Sequence, residues 1–223
     1  MSPQALPQEA GFMEQEIPNQ TRRGIGFALV AFTIWGLNPI YFRMIREVTA
    51  PEIIAHRILW MLVILMGVAI GTRKLHILIG YVRDVRILML MAVTSVLILI
   101  NWLVFTWAVT HDRLLDTSMG YFINPLCNVF LGMVFLRERL RMGQTVSVLL
   151  AGFGVLFMIF QYGSLPWISL VLPVSFGLYG LLRKKIEIDS FNGLLMESMI
   201  LSPFAIGYLV YLGGQGNIVF LNE

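Results

Sequence analysis

Three ionisable residues, His56, Arg57 and Glu197, fall inside stretches that are otherwise long and apolar. A charge at the centre of a bilayer costs about 2.5–3.5 kcal/mol on insertion scales, so a side chain kept there faces a cavity or a partner. His56 and Arg57 lie about one turn into one apolar stretch, and Glu197 lies about two turns into another. Imidazole titrates near neutral pH and a desolvated carboxyl can be brought there, so His56 and Glu197 are able to exchange protons and couple movement of a solute to a gradient. Arg57 has two readings: it lines a pathway, or its long stem carries the guanidinium to the headgroups. The shorter Glu197 has less reach, and a pathway position is expected for it.

Asparagine interrupts the apolar pattern at Asn38, Asn101 and Asn124, and two of these precede proline, Pro39 and Pro125. Proline removes a backbone donor and disfavours helical geometry before it, so a kink and a freed carbonyl are expected at each step. Such sites suit substrate contact where backbone lines a cavity, and equally suit Asn bridges between neighbouring helices. Trp35, Trp102 and Tyr121 stand near these positions and could complete an apolar pocket with a few polar anchors. Tyr41 and Trp107 fall near the expected interface, where aromatic belts form, and are discounted.

Other chemistries find little support. His111 and Asp116 have the H-x-x-x-x-D spacing of glycerolipid acyltransferases, with His as base and Asp as its orienter, but one such pair recurs by chance. Asp116, followed by Thr117 and Ser118, reads more simply as a helix N-cap. There is no Walker pattern, and Gly24-x-Gly26, Gly143, Gly152 and Gly154 suit close helix contact rather than phosphate binding. The single cysteine, Cys127, has no partner for a disulfide or a metal cluster. The sequence therefore implies no enzyme, cofactor or metal site.

These residues need elements that hold them in a bilayer. Apolar residues make up 57% of the chain and charged residues 13%, with a mean hydropathy of +0.78, against about 45–50% and about 25% in soluble domains. At about 20 residues per crossing, the expected spans are 24–45, 52–71, 85–110, 117–136, 143–160, 164–182 and 191–212. The run from Met142 to Leu182 has 41 residues without a formal charge and must fold back once, at Gln161, Tyr162, Gly163, Ser164 and Pro166. Residues 1–20, with Glu9, Glu14, Glu16 and three prolines, read as a disordered tail without signal-peptide features. The fold class expected is an all-α integral membrane protein of seven transmembrane helices.

Lys and Arg sort to one side. Twelve flank the side of the N-terminus and four the other, which places the N-terminus in the cytoplasm and explains a pI near 9.2. The basic residues are spread over four membrane-flanking sites, so no nucleic acid is implied. Laid on itself with an offset of 141 residues, the chain matches Trp35-Gly36-Leu37 to Phe176-Gly177-Leu178, Arg43 to Lys184 and His56 to Glu197. The copies lie five spans apart, so they enter from opposite sides. Inverted repeats place a substrate site near the midplane, which argues against a receptor-like or structural seven-helix protein.

Five stretches carry a likeness: IWGLNPIYFR, EIIAHRILW, NWLVFTWAV, MGYFINPLCNVFLGMVFLRERL and GSLPWISLVLPVSFGLYGLLRKK. In these the chain resembles the EamA family of the drug/metabolite transporter superfamily, and its RarD branch of chloramphenicol-sensitivity permeases. The resemblance implies a ten-helix permease of two inverted five-helix repeats in the bacterial cytoplasmic membrane. On that pattern residues 21–161 form the first repeat, 162–223 begin an incomplete second one, and the chain is C-terminally truncated. The expected partners are the lipid bilayer, a small organic metabolite or drug, and protons as coupling ion; a homo-oligomer is compatible with the sequence. The expected substrate-facing residues are Trp35, Asn38, His56, Arg57, Asn101, Trp102, Tyr121, Asn124 and Glu197.

Overall fold

A computed structural model describes residues 7–73, 75–163, 167–186 and 188–219. All regular structure among them is helical: α1 (Pro7–Met44), α2 (Ala50–Gly71), α3 (Leu75–Arg83), α4 (Val85–Thr110), α5 (Leu114–Phe135), α6 (Met142–Tyr162), α7 (Trp167–Lys185) and α8 (Ser190–Gly214). The chain forms two units, residues 1–44 and 45–223. The first contains α1, whose backbone is helical from Pro7, although a disordered tail is expected from sequence up to residue 20. Residues 1–6 lie outside the described residues.

In the second unit the usual placement of residue types is reversed. Trp60, Phe122, Phe130, Phe153, Phe160 and Phe204 are exposed, whereas Thr94, Ser95, Ser169, Ser198 and Glu197 are buried. Water would penalise so much exposed apolar surface, and hydrocarbon would not. Among the described residues six helices are long and apolar enough to cross a membrane: the Thr21–Met44 part of α1, then α2, α4, α5, α6 up to Gln161, and α8. The expected span at 164–182 is a helix from Trp167, but less apolar. Arg183, Lys184 and Lys185 occupy its last turn, leaving Trp167 to Leu182, about 24 Å at ~1.5 Å per residue, short of a ~30 Å core. Ser164 and Pro166, two residues of the expected fold-back, lie outside the described residues; Gly163 ends α6 in the left-handed region at φ 73.

α4 is the centre of the second unit and touches α2, α3, α5, α7 and α8. Its buried residues Met91, Thr94, Ser95 and Ile98 recur at helical spacing. α2 and α8 pack antiparallel: Ile54, Ala55 and Ile58 meet Leu201 and Ala205, while Leu62, Leu65 and Met66 lie with Leu195 and Met196. α3, which sequence reading leaves as a loop, buries Leu78 in the cluster of Met91 and Leu195. α5 and α7 pack against each other at glycines. A Cβ on Gly177 would lie 2.7 Å from Leu131 Cδ1, and one on Gly120 would lie 3.4 Å from the Ser169 Cα. Small residues let helices meet where no hydrophobic force pulls them together.

The helices continue through their prolines. α1 passes Asn38-Pro39 and α5 passes Asn124-Pro125 as continuous helix. In α8, Pro203 removes the donor for the Met199 carbonyl, and the Ser202 hydroxyl supplies a substitute at 2.9 Å. The helix starts also differ from expectation. Asp116 is in the first turn of α5 and Arg113 is its N-cap residue, because the backbone turns at Asp112 with φ 57 and begins the helix earlier.

Two outcomes follow from this packing. Gly177→Val should lower the thermal midpoint in detergent by the equivalent of about 1–3 kcal/mol, the usual cost of overpacking, while Gly180→Ala, with nothing within 4 Å, should not lower it. At the start of α8, Asn192 donates to Asp189 from its side chain at 2.6 Å and its backbone at 3.1 Å, holding that carboxyl below the ordinary carboxylate range. A depressed folded pKa stabilises above the unfolded value and is lost as pH falls through the folded one. The stability advantage over Asp189→Ala, measured by thermal unfolding, should be full above about pH 5 and close at lower pH.

Candidate functional site

Glu197 is fully buried on α8 and is held from two other helices. The Thr94 hydroxyl of α4 donates to Oε1 at 3.0 Å, and the Tyr179 hydroxyl of α7 donates to Oε2 at 3.3 Å. Thr94 Oγ1 also lies 3.0 Å from the Met91 carbonyl, which accepts from Ser95 at 2.7 Å. A hydroxyl has one proton, so Thr94 serves one acceptor at a time. With Glu197 ionised, Thr94 and Tyr179 both donate to it. With Glu197 protonated, its own O–H can donate to Thr94, whose proton then turns to Met91. Both states are satisfied within the bundle.

One turn nearer the start of α8, the Arg183 guanidinium lies over Gly193, where any Cβ would collide with it. It reaches the Met91 sulfur at 3.5 Å and the Asp189 carbonyl at 3.3 Å. Arg183 and Tyr179 are four residues apart on α7, as are Gly193 and Glu197 on α8, so the pairs form adjacent rungs.

A second group lies between α4, α5 and α7. Asn101 Nδ2 donates to the Leu172 carbonyl at 2.9 Å and to Ser175 Oγ at 3.0 Å. Asn101, Tyr121 and Asn124 line a cavity of ≈ 20 Å³ with Gly120, Leu172, Pro173 and Phe176. That volume suits about one water molecule, not an organic solute. Asn124 Oδ1 is buried with no hydrogen-bond partner among the described residues, which gives such a water an acceptor. Asn101 thus bridges helices beside Pro173, the bland alternative that sequence leaves open.

A third group joins α2 to α4. The Arg57 guanidinium lies over the Trp102 ring, 4.2 Å from its centroid, and His56 is half-buried beside it in sequence. Trp35 and Asn38 belong to α1 in the first unit; at i, i+3 they share a face, and Trp35 packs edge-on with Phe32 at 6.1 Å. His111 stacks on Trp107 and bonds its carbonyl at 2.8 Å, whereas Asp116 meets Arg113 at 3.6 Å. Each of the two has its own neighbours, which leaves the acyltransferase pairing without support.

Residues 22–160 match the model of the EamA-like transporter family. The chain belongs to that family. It is 46% identical over 193 residues to Protein RarD of Escherichia coli (strain K12), covering 85% of this chain and 64% of that protein. An uncharacterized transporter of Vibrio cholerae serotype O1 is 44% identical over 191 residues, 86% of this chain and 63% of its own length. The uncharacterized transporter YojE of Bacillus subtilis (strain 168) is 41% identical over 197 residues, 87% and 66%. The chain thus spans less than two thirds of the length of these relatives. No solved structure matches it.

Sequence reading misses Thr94, Tyr179, Arg183 and Gly193 as parts of the Glu197 site. A Thr and a Tyr within apolar spans are the available signal, but only folding brings Thr94 to a carboxyl 103 residues away. Thr94→Val with Tyr179→Phe should cost about 1–3 kcal/mol by leaving a buried carboxyl without donors. Adding Glu197→Leu should restore most of the loss, as read in a double-mutant cycle of thermal unfolding.

Proposed function

We propose that the chain forms part of a multi-pass permease of a bacterial cytoplasmic membrane, moving a small organic solute by alternating access, with Glu197 and His56 as proton-exchanging sites. The Glu197 node carries this reading. A carboxyl buried in an apolar bundle, with hydroxyl donors able to serve either protonation state and the Arg183 cation one turn away, can gain or lose a proton in place. Family membership and relatives named as transporters support the same class of activity. Nothing in this reading makes the chain an enzyme.

Alternating access draws support from the helix ends. The offset of 141 that relates His56 to Glu197 carries the end of α1 at Met44 onto the end of α7 at Lys185, and the start of α2 at Ala50 to within one residue of the start of α8. The antiparallel packing of α2 on α8 changes over near Leu59 and Ile200, which the same offset relates. An inverted pair meeting about a two-fold axis has this property. On this reading residues 21–161 form one repeat, α7 and α8 open its inverted copy, and the N-terminus is cytoplasmic by its basic flanks. Asn101, Trp102, Tyr121 and Asn124 shape the route as apolar walls and helix bridges.

Vesicles containing the chain, loaded with a mixed extract of small metabolites and given a pH gradient, test this. A subset of solutes should leave faster than from protein-free vesicles, as measured by mass spectrometry. Glu197→Gln should abolish the response to the gradient, and His56→Gln should shift its pH range. Release equal to that of protein-free vesicles, or a pH response unchanged in the double variant, would falsify the reading.

A further inference from the structure

Arg57 holds a charge that no carboxylate among the described residues is seen to pair. Its Cα lies seven residues into α2, about 10 Å from the Ala50 end at ~1.5 Å per residue, and Trp102 lies eight residues, about 12 Å, from the corresponding Thr110 end of α4. Stacked on Trp102, the guanidinium stays at that depth instead of extending to a helix end. Among the described residues it makes no hydrogen bond or ion pair. Glu52 is five positions back, about 140° round α2 at ~100° per residue, and Glu197 is held by Thr94, two turns along α4 from Trp102.

Stacking occupies the face of a guanidinium and leaves its edge N–H groups directed outward. That fork matches the two oxygens of a carboxylate, and unmet donors in an apolar medium are costly. By i, i+3 spacing Arg57 shares the α2 face of Ile54, and Trp102 shares the α4 face of Leu99. Ile54 and Leu99 line an open groove of ≈ 140 Å³ with Ile58, Leu103, Leu201 and Phe204, and Arg57 and Trp102 flank it without forming part of its lining. A cavity of roughly 150 Å³ lined by such side chains accepts a benzene ring.

We propose that Arg57, laid on Trp102, seats the carboxylate of a compact organic anion, typically an aromatic acid, whose apolar body occupies the groove between α2, α4 and α8. That this anion is the transported solute rests on the permease reading; the seat does not. Cation–π contact keeps the guanidinium planar and in place, and the groove adds apolar burial without competing hydrogen bonds. A lipid phosphate offers the fork similar oxygens, so the test separates the two sources.

The chain is placed in phosphatidylcholine nanodiscs and titrated with radiolabelled benzoate, with benzamide as the uncharged competitor. Binding should saturate and should resist displacement by benzamide. Arg57→Lys, which keeps the charge and loses the fork, should weaken it by roughly tenfold or more, the equivalent of one charge-assisted hydrogen bond. Arg57→Gln should abolish it; if that variant fails to fold, Arg57→Lys decides. Equal displacement by benzamide, or unchanged affinity in Arg57→Lys, overturns the proposal. So does Arg57-dependent retention of phosphatidylglycerol in native mass spectra without benzoate binding, which assigns the seat to lipid. Arg57-dependent benzoate binding by a chain that releases no solute from loaded vesicles supports the seat and removes the permease reading. Solute release by a chain that does not discriminate benzoate from benzamide removes the seat alone.

Discussion

Polar groups inside hydrocarbon must be satisfied by the protein itself, and the Glu197 carboxyl is where that constraint bears hardest. Its two donors come from α4 and α7, so meeting the constraint ties α8 to both. α4 then lies against five other helices, with its Met91–Ile98 face turned inward. The remaining hydroxyls follow a cheaper rule. Ser95, Ser198 and Ser202 each donate to a carbonyl three or four residues back on their own helix, so they enter the bundle without a partner from elsewhere.

Small residues do for α5 and α7 what polar bonds do for α8. Gly120 lets the backbone of α7 approach, Gly177 admits the Leu131 side chain of α5, and Asn101 fastens α4 to α7 at Leu172 and Ser175. α7 is thus tied on two sides. Its limited apolarity fits that position: Ser169, Pro173, Ser175 and Gly177 are buried and need not meet lipid.

Charge-free runs locate most helices to within a few residues, because bilayer thickness sets a length that composition reveals. α3 escaped that test: nine residues are too few for a span, and its apolar residues occupy one face with His76, Gly80 and Arg83 on the other. The start of α5 was misplaced since Asp-Thr-Ser is a strong local capping signal, and a left-handed turn at Asp112 overrides it. The ionisable members of the site were legible from their cost in lipid. Their partners were not, because hydrogen bonds across 103 or 71 residues depend on register between helices that no local pattern encodes. The fate of Arg57 was open in sequence for the same reason: reach to a headgroup and stacking on Trp102 differ only in what another helix presents.

The seat of Arg183 over Gly193 also constrains how the sequence can change with time. A side chain at position 193 cannot share that space and must push the end of the Arg183 chain aside, whereas a lineage that first shortened residue 183 would find the position open. The same substitution therefore moves a cation in one ancestor and nothing in another. Which of the two mutations comes first then decides whether the cation has already left its place beside Glu197 when the other arrives.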